Sequence, residues 1–253
     1  MVKLYRDNQQ TLIPLGSGIV DEKKLWQTKG ATAIGSEVVL GDQGGETLEQ
    51  LHDTSGATLK FISSSANDKT GSTGLLTARL WGVDTDDVIQ YEDITCNGDT
   101  AVTLTNTDWK GVFFLEPLTY GSAKKAVGNC HITNSAGDAY YLAIAADGFQ
   151  SNYLNLYIPK NAIGYFEMHV WFTVDTTAYD AVTVNQYIAN GATNEVTQPV
   201  LTYAFSGVAA LETNAAKLTG ILRQAQHNIF KGVDIGTTAQ TLNYSITWGI
   251  RYT

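Results

Sequence analysis

Few residues of this chain stand in a spacing that chemistry requires. Asp84, Asp86 and Asp87 sit together in the run DTDD and hold enough carboxylate oxygen to ligate a hard cation. They lack the twelve-residue loop closed by a glutamate that an EF-hand uses, and we read them as an acidic turn between strands. His52, His131, His169 and His227 are far apart, and none falls in an HxH or HExxH spacing. Cys130 and His131 are neighbours, so a strand would point them to opposite faces and spoil them as joint ligands or as a nucleophile and its base. The same alternation separates Glu92 from Asp93, which therefore cannot flank a glycosidic bond as a pair. No serine occupies a G-x-S-x-G elbow. The runs GSTG at 71–74 and GDQGG at 41–45 lack the lysine and the strand–helix setting of a phosphate loop. We expect no catalytic, metal-binding or cofactor-binding residue.

The aromatic residues carry more weight. There are 13 Tyr and 5 Trp. Tyr140, Tyr141, Tyr153, Tyr157 and Trp171 fall on outward or mixed faces of the strands assigned below. Rings placed so can bury against another subunit, stack on sugars, or fill a core on both sides of a two-sheet fold. We take Trp26, Tyr153, Tyr157 and Trp171 as candidate subunit contacts.

The elements that position these residues read as strands. Apolar runs separated by short polar turns fill 59–115. Leu76, Ala78 and Leu80 share one face, with Thr77 and Arg79 on the other. SSSANDKTGSTG (63–74) is a polar loop of turn formers and reads as a structural corner. Asn97-Gly98-Asp99 is a hairpin signal, because Asn and Gly tolerate positive φ. Val112 to Leu115 is a buried strand. Leu154, Leu156 and Ile158 alternate with Tyr153, Asn155 and Tyr157. Met168, Val170, Phe172 and Val174 alternate with Glu167, His169, Trp171 and Thr173. The last strand is the clearest, with Leu242, Tyr244, Ile246, Trp248, Ile250 and Tyr252 on one face. One stretch departs from period two. Leu211, Ala215, Leu218, Leu222, Ala225 and Ile229 recur at helical steps and predict an amphipathic helix over 209–230, the rival being two strands broken near Asn214. Gly220 weakens the helical reading.

Residues 1–55 differ from the rest. Leu12-Ile13-Pro14-Leu15 followed by Gly16-Ser17-Gly18 excludes one continuous helix. Short helical turns over 21–27 and 46–52 and a short strand over 37–40 predict an arm or irregular cap. That segment either reaches a neighbouring subunit or folds onto the chain's own sheets. Residues 56–253 then form one all-β, antiparallel sandwich of jelly-roll type.

Bulk numbers narrow the class. At 253 residues the chain can bury a sizeable core. Only 16% of residues are charged, so the surface must be rich in Thr, Ser, Asn, Gln and Gly, which suits packing among copies. A net charge of −9 argues against nucleic acid and against an anionic membrane. Cys96 and Cys130 do not make a disulfide framework, and we expect two free, buried thiols. The N-terminal stretch has no apolar signal region, and no run reaches the roughly 18 apolar residues of a membrane helix. We expect a soluble chain, unless it leaves the cell within a larger particle.

SSSANDKTGSTG, the strand after it and GVDTDDVIQYEDITCNGDTAVTLTNTDWKGVFFL resemble a family of tailed-phage virion proteins. Members show an SSS-x-ND-x-x-x-GTGA-like loop, a strand, a G-L/V-D turn, an E-x-V/I-x-L-NG-T hairpin and an apolar strand. Val127-Gly128-Asn129, IAADGFQS (144–151) and LYIPK (156–160) resemble the continuation, an I-x-A-G-x-G-Q-S stretch before a Y-T-V-P-A-G strand end. The resemblance covers about residues 60–175. Asp147 replaces a glycine of the family turn, and Lys160-Asn161-Ala162 replaces the P-A-G corner. It implies a non-enzymatic structural protein of a double-stranded DNA phage virion, made in the host cytoplasm. We expect a capsid decoration or cement protein that binds its own copies and the major capsid protein, as a homo-oligomer and by analogy a trimer. The alternatives are a tail or fibre module recognising host glycans, a glycosidase-like sandwich enzyme, and a jelly-roll capsid subunit or tail adaptor.

Overall fold

The computed structural model describes residues 4–6, 12–14, 25–34, 38–39, 48–148, 155–173, 180–190, 195–196, 201–207, 216–222, 226–234 and 240–252. Among the described residues every regular element is a strand, and no helix is long and apolar enough to cross a membrane. All pairings between strands are antiparallel.

Near the N-terminus, β1 (Leu4–Arg6) pairs with β2 (Leu12–Pro14). Next come β3 (Leu25–Ile34) and β4 (Val38–Val39). The following seven strands are β5 (Leu59–Ser63), β6 (Leu75–Val83), β7 (Ile89–Thr95), β8 (Val102–Thr103), β9 (Gly111–Tyr120), β10 (Cys130–Asn134) and β11 (Tyr140–Ile144). They make two sheets, of order β11-β10-β5-β8 and β7-β6-β9. Leu59, Phe61 and Ile132 of the first sheet meet Ala78, Leu80 and Leu115 of the second in one buried core.

The chain then runs through β12 (Asn155–Ile158), β13 (Ala162–Thr173), β14 (Asp180–Asn190), β15 (Glu195–Val196), β16 (Leu201–Gly207), β17 (Ala216–Leu222), β18 (Gln226–Asp234) and β19 (Gln240–Tyr252). One sheet is centred on β14 and β18, with β12 at its edge. The other has the order β17-β13-β19-β3. Leu156, Ile158, Val184 and Phe230 meet Phe166, Met168, Val170 and Ile246 in a second core. The strands of 56–253 thus enclose two cores, each between two small sheets.

Alternation explains the second core directly. Leu242, Tyr244, Ile246, Trp248 and Ile250 of β19 are all fully buried on one face, as their period-two spacing predicts. β19 pairs with β13 over twelve positions, from Thr241↔Thr173 to Tyr252↔Ala162. On its other side it pairs with β3, from Gln240↔Ile34 to Gly249↔Leu25. β4 pairs with β18. The strands at 25–34 and 38–39 are therefore built into the chain's own sheets. Leu25–Gln27 is strand and not a helical turn, and Leu48 makes a bridge to Tyr140 where a helical turn was expected.

The helix predicted over 209–230 is corrected. Ala216–Leu222 and Gln226–Asp234 are strands, and 208–215 and 223–225 lie outside the described residues. Leu222 and Ile229 are both buried, but in different sheets, so their seven-residue spacing is a coincidence of two strands. Gly220 faces Phe166 across the β13–β17 ladder, and a Cβ there would lie 2.7 Å from the ring. The glycine makes room for an aromatic ring in a sheet. Two finer expectations also shift. A bulge between Leu75 and Thr77 turns Leu75 inward in place of Leu76. Asn97-Gly98 does form a turn, with Gly98 at φ 66°, but β7 and β8 on either side pair in different sheets.

The loop 63–74 owes its shape to Asp68, which is fully buried. Oδ1 accepts hydrogen bonds from the Leu75 and Val127 backbone N–H groups at 2.7 and 2.9 Å. Oδ2 accepts from the Gly128 N–H at 2.8 Å and from the Ser63 hydroxyl at 2.6 Å. One side chain thereby ties β5, β6 and the approach to β10. Each buried N–H left without an acceptor costs about 1–3 kcal/mol. Asp68→Ala is expected to lower the unfolding free energy by about 4 kcal/mol or more, and Asp68→Asn, which keeps one acceptor oxygen, by roughly half as much. Urea titration followed by tryptophan fluorescence measures both, and equal stability of Asp68→Ala and wild type would contradict this role.

Candidate functional site

Three large apolar side chains are exposed among the described residues: Val88 at 53%, Tyr91 at 54% and Leu118 at 37%. All three belong to the β7-β6-β9 sheet or the turn leading into β7. Cross-strand pairing sets the neighbours of Tyr91 on its face. Arg79 lies between Asp93 of β7 and Glu116 of β9, and Trp81 lies between Tyr91 and Phe114. Thr77 and Thr119 join their hydroxyls at 2.6 Å.

The side chains on this face hold one another. Arg79 Nε and Nη2 donate to Asp93 Oδ1 and Oδ2 at 2.5 and 2.9 Å. That fork raises the arginine's pKa and lowers that of the Asp93 carboxyl, in each case chiefly through the hydrogen bond between them. The guanidinium also lies 4.3 Å from the Tyr91 ring centre and 5.7 Å from that of Trp81. Trp81 and Tyr91 are 5.1 Å apart, and the Trp81 indole N–H donates to Glu116 Oε2 at 2.8 Å. Trp81 is half-buried and its ring packs against the second core. Arg, Tyr and Trp are the residue types that anchor protein interfaces, and here their rotamers are set before any partner arrives. Because Arg79 covers a face of Tyr91, the pair is less suited to an open shelf for stacking a sugar.

A second polar cluster is buried where the two cores meet. The DTDD turn leads to it. Asp84 Oδ1 accepts the Asp86 and Val88 N–H groups, so this carboxylate closes its own turn. Asp87, at φ 63°, points inward, pairs with Lys110 Nζ at 2.5 Å and accepts the Tyr157 hydroxyl at 3.0 Å. Around Tyr157 stand His227, with ring centres 5.0 Å apart, and His52, at 5.8 Å. The two imidazoles are 6.2 Å apart. Burial lowers the pKa of both, that of His227 to about 3. Tyr157 is pushed up, first by burial and then by Asp87.

Tyr157 is therefore corrected as a subunit contact. It is fully buried, because β12 is covered on both faces and its hydroxyl finds a carboxylate inside. Trp26 lies on β3, opposite Trp248 of β19, and Trp171 lies on β13, opposite Asn243. The side chains of both are outside the described residues, as is Tyr153 altogether. Sequence reasoning passed over Tyr91, Arg79 and Trp81 as a group, although alternation on β6 and β7 puts them on the face opposite Ala78 and Leu80.

The remaining candidates have structural roles. Cys96 and Cys130 are buried and free, as expected. Burial, with the charge of Asp68 second, pushes the Cys96 thiol up to about 12 and Cys130 higher still, so neither is a thiolate nucleophile at neutral pH. His131 meets the Tyr140 ring edge-on at 5.0 Å, and His169 is held by Glu167 at 3.0 Å. Glu92 turns away from Asp93 and accepts the Thr105 and Asn106 N–H groups. No protein-family model, curated protein or solved structure matches the chain.

If the outer face is a contact surface, its exposed members contribute little to folding. Arg79→Ala and Tyr91→Ala are each expected to change the unfolding free energy by under about 1 kcal/mol. Trp81→Ala, which removes packing against the second core, should cost about 2–3 kcal/mol. Denaturant titration of the three variants checks this, and a large loss for Tyr91→Ala would make it a packing residue.

Proposed function

We propose that the chain is a non-enzymatic structural protein of a tailed-phage virion, a decoration or cement protein that binds the head and ties its subunits together. The observation that carries this reading is the exposure of Val88, Tyr91 and Leu118 on the β7-β6-β9 sheet and its turn, with Arg79 pre-set against the rings of Tyr91 and Trp81. Such a face buries readily against a neighbour, and symmetry repeats each weak contact many times. The resemblance over about residues 60–175 supports the virion setting. The low share of charged residues, 16%, supports close packing among copies. The partners are the chain's own copies, as a trimer, and the major capsid protein. With this reading we propose that the paired sheets are sandwiches of jelly-roll type, supported by their antiparallel pairing.

Quantitative mass spectrometry of purified virions tests the assignment. Copies on the order of hundreds per particle, as symmetric repetition on a shell requires, are the expected result. A dozen or fewer would overturn it and point to a tail adaptor or fibre module. Tyr91→Ala and Arg79→Ala chains are expected to fold and to lose binding to undecorated heads by about tenfold or more, since interface anchors carry roughly 1.4 kcal/mol or more each.

A further inference from the structure

We infer that the largely buried cluster of His52, Asp87, Lys110, Tyr157 and His227 is a proton-sensitive latch that holds the two cores together at neutral pH and loosens in acid. The argument begins with where each group comes from. His52, Asp87 and Lys110 belong to the part of the chain that builds the first core. Tyr157 and His227 belong to β12 and β18 of the second. The polar contacts across the junction run from Tyr157 to Asp87, from the His227 ring to the backbone of Leu51, and through the three packed rings.

Apolar contacts cross as well. Val83, Phe113 and Phe114 enter the second core, and Phe113 meets Trp248 edge-on at 5.3 Å. These contacts do not depend on pH. The polar ones do, because of how charge is distributed there. Facing the two imidazoles are Lys110, Asp87, Tyr157 and, beside His52, Asp53. Lys110 already neutralises Asp87. Protonating both histidines would set three cations around one buried carboxylate, with Asp53 at the rim. His52 Nδ1 is buried without a hydrogen-bond partner among the described residues, so a proton there would have no acceptor. The two imidazolium groups would also repel each other across 6.2 Å.

The sign follows from linkage. A buried histidine whose pKa lies below its open value of 6.5 contributes fully above that pH, and the contribution is lost as pH falls towards about 3. Opening the junction lets the imidazoles reach water and bind protons, so acid favours the open form. The outer sheets of both cores contain no such pair among the described residues, so the opening is local to the junction.

Hydrogen–deuterium exchange of the full chain, compared as protection factors at neutral pH and near pH 4.5, tests the latch. Amides of 109–113, 156–158 and 227–230 are expected to lose about 100-fold in protection for His227 alone, while β5, β10, β13 and β19 change by less than about threefold. In the His52→Gln, His227→Gln double variant the pH-dependent loss should shrink to under about threefold. Unchanged protection at the junction, an equal loss in every sheet, or the same acid response in the double variant would each overturn the proposal. Should the double variant fail to fold, the regional comparison in the unaltered chain still decides. The outcome does not depend on whether the chain is a virion protein.

Discussion

The fold of the first core depends on one buried carboxylate. Asp68 lies in a loop of twelve polar and small residues whose one apolar side chain, Ala66, is exposed. Such a loop needs internal hydrogen bonds to take one shape. Asp68 supplies them by gathering three backbone N–H groups and one hydroxyl from segments as far apart as Ser63 and Gly128. Its own backbone carbonyl accepts the Gly98 N–H at 2.7 Å, which brings in the turn after β7. Gly74 leaves the space this side chain occupies, since a Cβ there would lie 2.0 Å from Oδ1. Both sheets of the first core therefore begin from the same atom pair. An apolar residue at 68 could fill the volume, but it would leave the donors unmet, which in a buried site outweighs the packing gained.

Given that corner, the rest of the first core follows from alternation, and the second core is attached through it. β9 is apolar on both faces over Val112–Leu115, because one face closes the first core and the other enters the second. The same double duty explains Trp81, whose indole N–H stays with Glu116 on the outer face while its ring packs against the second core. A side chain shared in this way fixes the outer face to the interior. The Arg79–Tyr91–Trp81 group is thus more rigid than an exposed cluster on a loop, and a partner binding it loses little side-chain entropy.

How much of this the amino-acid order reveals can be argued residue by residue. The faces of β19 were legible, because five buried positions in strict alternation have one physical meaning. The buried strand at Val112–Leu115 was legible as a continuous apolar run, and the turn at Val83–Val88 as a cluster of acidic turn formers. Leu76 was misplaced because a bulge changes phase without changing composition. The spacing from Leu211 to Ile229 misled because strands from two sheets were read as one periodic element, and only long-range pairing of β17 with β13 separates them. Asn97-Gly98 marks a turn locally, yet nothing local says that the strands beside it belong to different sheets. Tyr157 looked outward because period two assumes one wet face, whereas β12 has none. Asp68 was visible only as one polar residue in a polar loop, since its partners are backbone groups up to 60 residues away.

The two buried polar clusters differ in a way that matters for how the molecule responds to its surroundings. Asp68 is held by backbone N–H groups and a hydroxyl, none of which carries a charge. The junction is held by two imidazoles and an ion pair, and imidazole is the side chain that changes charge between neutral and mildly acidic solution. An apolar junction of the same size would bind the cores more simply, because burying charge has a desolvation cost that a good ion pair only offsets. The polar groups make the contact conditional. Placing the two imidazoles between the cores, and the carboxylate that gathers backbone N–H groups at the corner within a core, lets the junction loosen while the corner that shapes the outer face stays intact.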